Sequence, residues 1–129
     1  MRVTLKSNNV VLDKSFAFSI RIVNMYRHLT SVADNKEFIL SKQVLRSGTS
    51  IGANIRESRR AQSPKDFVNK LYIALKEADE TSYWLELLNK TGYLPDDVFE
   101  SIFFDCEELV KLLTTIIKTT QKKYGEVDE

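Results

Sequence analysis

The chain has 129 residues, 43% apolar and 29% charged, with nineteen Lys and Arg against eighteen Asp and Glu. That length suits one domain burying roughly two-thirds of its unfolded surface, and a net charge of +1 with so much apolar content excludes a disordered chain. One cysteine, Cys106, rules out an internal disulfide and a Cys-only metal site, and one histidine, His28, removes most histidine-dependent chemistry.

The few Gly and Pro residues are too sparse for an all-β protein of this size, so helices are expected. The first helix is expected from about Leu12 to Val32, with Phe16, Ile20, Val23, Tyr26 and Leu29 as its apolar face. Ala33-Asp34-Asn35-Lys36 is a short polar connection. The second helix, about Glu37 to Ala61, carries Leu40, Val44, Gly48, Ile51 and Ile55 at helical spacing.

The third, about Pro64 to Thr91, has Ser63 as N-cap, Pro64 at the first position and Asp66 in the first turn. Phe67, Leu71, Ala74, Ala78, Thr81, Leu85 and Leu88 recur at alternating steps of four and three, which a strand cannot produce. Gly92 is placed to end this helix as a left-handed C′ residue. The fourth runs from Pro95 to about Tyr124 on a seam of Ile102, Cys106, Leu109, Leu113 and Ile116. Its acids, Asp96, Asp97 and Glu100, gather at the start and Lys118, Lys122 and Lys123 at the end, complementing the helix dipole.

Four helices with short connections predict an all-α fold, an antiparallel up-down-up-down four-helix bundle. It would fill residues 1–129 as a single domain, with frayed ends at 1–9 and 125–129. No apolar run reaches the ~18–20 residues of a membrane span, and the N-terminus lacks the apolar stretch of a secretory signal. The expectation is a cytoplasmic protein without a membrane partner.

Two glycines four residues apart inside the second helix, Gly48 and Gly52, each cost about 1 kcal/mol relative to Ala, so something must offset them. Ser47, Ser50 and Ala53 lie nearby, and a neighbouring backbone packed close against this face is the favoured explanation. A phosphate-cradling loop would need a Gly-Lys-Ser/Thr ending and a preceding strand, and neither is present. Cys106 on the fourth seam reads as a small core hydrophobe.

Arg56, Arg59, Arg60, Lys65 and Lys70 gather at the turn between the second and third helices, against Glu57 and Asp66. With Arg46 they are the candidate nucleic-acid contacts, since guanidiniums pair with backbone phosphates. The competing reading is a solvated turn with its arginines partly paired to Glu57 or to other helices. Tyr72, Tyr83 and Trp84 lie off the main seam of the third helix. They mark either a thickly buried central helix or a surface that packs against another subunit. Glu77, Asp79 and Glu80 on the third helix, with Glu57 on the second, could suggest a di-metal site, but that chemistry needs Glu-x-x-His on two helices, and the sequence has none. Glu77 is instead expected to pair with an arginine of a neighbouring helix. No nucleophile–base pair or metal set emerges, so neither catalysis nor a cofactor is expected.

Arg46-Ser47, the run Ser50-Ile51-Gly52-Ala53-Asn54-Ile55-Arg56-Glu57, Ser63, Asp66-Phe67, Ile73-Ala74-Leu75-Lys76-Glu77-Ala78, Glu80-Thr81 and Tyr83-Trp84-Leu85 carry a resemblance. They resemble the four-helix bundle family of 23S rRNA intervening-sequence proteins. The chain is also similar to the accessory proteins of diversity-generating retroelements. That resemblance implies a bacterial, cytoplasmic bundle, a homo-oligomer in the form of a pentameric ring, and partners such as RNA or a reverse transcriptase. The function expected is a non-enzymatic oligomeric bundle that contacts nucleic acid or an RNA-processing partner through the basic residues. The alternative is a purely structural or protein–protein interaction module with no nucleic-acid role.

Overall fold

A computed structural model describes residues 6–31 and 36–125. Among them are four helices and no strand: α1 (Lys6–Leu29), α2 (Ile39–Ser58), α3 (Pro64–Lys90) and α4 (Asp96–Tyr124). Each helix packs against the next, α4 also meets α1, and the four surround one core. No helix is long and apolar enough to cross a membrane. Expected fraying at 1–5 and 126–129, and most of the connection at 33–36, lies outside the described residues. Residues 6–9 are helical, so α1 starts before the expected Leu12.

Local chemistry fixes the helix ends. Ser63 accepts a hydrogen bond from the Asp66 amide at 3.1 Å, and Pro64 follows in the first helical position. At the other end of α3, Gly92 adopts φ +88°. Its amide donates to the Asn89 carbonyl and that of Tyr93 to Leu88, satisfying carbonyls that a helix end leaves open. The opening of α2 was not legible in the sequence. Glu37, only 9% exposed, turns its carboxylate onto the first turn and accepts from the amides of Ile39, Leu40 and Ser41 and from the Ser41 hydroxyl. Burial pushes the Glu37 carboxyl up, but the hydrogen bonds outweigh it and hold it below the usual carboxylate range.

The expected seams of α2, α3 and α4 are the buried faces, apart from Leu40, which is half-buried against the core. The seam of α1 is different. Val11, Ser15, Phe18, Ile22, Met25 and Leu29 are buried, stepping by four and three without a break. Phe16 and Ile20, expected inside, are 56% and 49% exposed. A serine in the true seam disguised it. Ser15 is tolerated there because its hydroxyl donates to the Leu12 carbonyl at 3.1 Å.

The glycines of α2 serve close approach to α1. A Cβ on Gly48 would lie 2.9 Å from Cγ1 of the fully buried Ile22, and one on Gly52 would lie 3.2 Å from Ser19 Oγ and 3.3 Å from the Ser15 carbonyl oxygen. On the α3 side, Ser47 and Thr81 bring their hydroxyls to 2.8 Å, so the polar groups of this small-residue face stay paired inside the core. Cys106 is fully buried, and its thiol donates to the Ala78 carbonyl at 3.4 Å. Burial pushes that thiol up to about 11, which makes it inert at neutral pH.

Candidate nucleic-acid interface

The last turn of α2 and the turn that follows set out the basic residues. Arg56, Arg59 and Arg60 are spaced by three and four, so they share one side of the helix end, and all three are exposed. They line, with Ala53, Glu57, Asp66 and Lys70, an open cleft of about 660 Å³. The carboxylates in that cleft are occupied. Glu57 pairs with Lys70 at 3.0 Å, and Asp66 accepts from the Gln62 amide at 3.1 Å. Arg59 donates to the Arg56 carbonyl, and the Arg56 guanidinium sits 5.6 Å from the centroid of the Phe16 ring. Among the described residues, no carboxylate pairs with Arg56, Arg59, Arg60 or Lys65.

Arg46 does not join this group. It reaches across to α3 and pairs with Glu77 at 3.3 Å and Glu80 at 2.6 Å. The expected charge partner of Glu77 is thus Arg46. Glu80 also accepts from the Trp84 indole at 2.9 Å. Trp84, and after it Arg46, hold the Glu80 carboxyl below its ordinary value, while Glu80 and Glu77 raise the Arg46 guanidinium. Six candidate contacts therefore divide: Arg56, Arg59, Arg60 and Lys65 are open, whereas Arg46 and Lys70 are held by carboxylates of the same chain.

The three candidate interface aromatics also separate. Tyr83 is 58% exposed, with its ring edge-on to Trp84 at 5.0 Å between centroids. Tyr72 and Trp84 are half-buried against the core, Trp84 with its N–H engaged by Glu80. Sequence reasoning missed Phe16 and Ile20 as surface residues because it assigned them to the core of α1. The signal that finds them is the alternative register Val11–Phe18–Ile22–Leu29, which needs one serine accepted as a seam residue. His28 is exposed near the end of α1. Among the described residues, no group of three or more His, Cys, Asp or Glu side chains is placed to hold a metal.

An all-α protein with guanidiniums grouped at one helix end is a scaffold suited to contact with anionic partners. The chain belongs to the 23S rRNA-intervening sequence protein family, whose model matches residues 7–115. It is similar to a protein of unknown function from the S23 ribosomal protein family of Bacteroides thetaiotaomicron, known from a crystal structure. The two are 60% identical with a TM-score of 0.84, over 87% of this chain and 98% of that one. The comparison with curated proteins gives no match.

Proposed function

We propose that the chain is a non-enzymatic, self-associating antiparallel bundle of the cytoplasm that contacts RNA through its basic end. The observation carrying this reading is the exposed trio Arg56, Arg59 and Arg60, free of carboxylate pairing among the described residues. Phosphate oxygens suit such a group, because guanidiniums offer paired donors and keep their charge at any working pH.

Cross-helix contacts support the up-down-up-down course. Arg46 meets Glu80 and Ser47 meets Thr81 near one end, whereas Glu57 meets Lys70 about ten residues further along α2, so the partner on α3 falls in number as α2 proceeds. Lys14 with Glu108 and Arg21 with Asp105 relate α1 to α4 in the same sense. In that arrangement Lys118, Lys122 and Lys123 fall at the end that carries the arginines. Self-association is supported by large apolar side chains open on the outer faces, Ile73 and Tyr83 on α3 and Phe104 on α4. Resemblance to the retroelement accessory proteins favours a pentameric ring and a reverse transcriptase as protein partner.

An RNA titration followed by anisotropy across a salt series tests the contact, with the oligomer mass taken from light scattering. Three phosphate contacts to single-stranded RNA predict a slope of about −2 in log affinity against log salt. Absence of binding at low salt, or binding indifferent to salt, sinks the nucleic-acid reading. It would favour the protein-only module, which the near-neutral charge and the internal pairing of Arg46 and Lys70 support. A monomeric mass would remove the ring.

A further inference from the structure

The outer side of the α1–α2 contact carries a second cleft, of about 280 Å³, lined by Leu12, Phe16, Ser19, Thr49, Gly52 and Arg56 among others. It exists because α2 presents small residues there; the Arg56 guanidinium lies over one side of the Phe16 ring, 5.6 Å from its centroid, and the ring remains 56% exposed. Arg56 and Ala53 line this cleft and the basic one alike. A row of guanidiniums therefore opens into an apolar trough with an exposed aromatic ring at its edge.

We propose that this composite site binds single-stranded nucleic acid, with phosphates on Arg56, Arg59 and Arg60 and one unpaired base stacked on Phe16. The inference rests on the nucleic-acid reading above and adds to it the strand form and the aromatic contact. Charge complementarity chooses the occupant. The ligand must bring anionic groups to the arginines and a flat apolar face to the trough within one short reach, and an unpaired nucleotide joins those two features covalently. A duplex offers the same phosphates but keeps its base faces stacked inside. A second copy of this chain packed two-fold symmetrically on Phe16 would bring its own Arg56 to the same spot, and like charges oppose that contact; a head-to-tail ring contact at Phe16 is the outcome that the oligomer mass tests.

The experiment compares a labelled single-stranded RNA of about 12 nucleotides, within the usual site size of a single-strand groove, with the corresponding duplex at low salt. Phe16→Ala is expected to weaken single-strand binding about 5- to 150-fold, the range of one lost base–aromatic stack, and to change duplex binding less than about twofold. The salt slope stays as in the unmodified protein, since the phosphate contacts remain, and Phe16→Trp restores the affinity. Phe16 is more than half exposed, so these variants fold, and thermal melts verify it.

Equal binding of both forms with no response to Phe16→Ala leaves the basic contact standing and overturns the stacking site. A fall in oligomer mass on Phe16→Ala overturns it too, by making the ring part of a subunit interface. Equal capture by vesicles containing anionic lipid, lost in Phe16→Ala, overturns it in favour of a membrane surface. Failure of the unmodified protein to bind any RNA removes both readings together.

Discussion

The two ends of α2 obey opposite rules. Its first turn is closed inward: Glu37 is buried, every oxygen it offers is used, and three amides and a hydroxyl converge on one carboxylate. Its last turn is open, with Arg56, Arg59 and Arg60 exposed and without carboxylate partners among the described residues. Between them the helix is thinned to glycine and serine so that α1 and α3 can approach. The same helix is thus anchored at one end and available at the other. Charge placed where it is fully hydrogen-bonded stabilises the fold, whereas charge left without a partner is available for a ligand.

That contrast can be broken most severely at the anchored end. Glu37→Ala should lower stability by about 2 kcal/mol, since it strips the carboxylate from amides that have no intrahelical partner. Chemical denaturation at neutral pH measures it. Because the folded value of the Glu37 carboxyl is depressed, its contribution is present above the ordinary glutamate value of about 4.3. It is lost as the pH falls below that and through the lower folded value. The gap between Glu37→Ala and the unmodified protein should therefore narrow on acidification, and a constant gap down to the most acid conditions would contradict the cap.

A smaller effect is expected in the middle. Gly48→Ala gains about 1 kcal/mol of helix propensity but forces a methyl group against Ile22, an overpacking that costs about 1–3 kcal/mol. Because Ile22 is fully buried and has little room to give, a net loss of about 1 kcal/mol should appear in the melts. Removing the clashing atoms with Ile22→Ala in the same chain should make Gly48→Ala less costly than it is alone, and strict additivity of the two changes would show that they do not touch. The least effect on stability belongs to the open end. Arg59→Gln with Arg60→Gln should move it by less than about 0.5 kcal/mol, as surface changes do, while weakening RNA binding and flattening its salt dependence. A large drop in the melting temperature would show that these arginines hold the fold.

The helices of this protein were legible in its sequence because their seams and caps are local. Ser63 with Pro64, the four–three stepping from Phe67 to Leu88, and Gly92 at φ +88° each depend on residues within one or two turns of each other. The small-residue face around Gly48 and Gly52 was equally visible, since two helix-weakening residues need a tertiary reason to stand there. What tertiary structure decided was which of several possible partners each exposed group took. Arg46 and Arg56 are the same residue type on the same helix, yet one is closed by Glu77 and Glu80 from α3 and the other lies against Phe16. Likewise α1 offers two apolar registers, and the facing glycines of α2 accommodate the one that puts Ile22 inside, leaving Phe16 at the surface. Periodicity says that a helix has an apolar side; contact with neighbouring helices selects which side that is and which charges remain open.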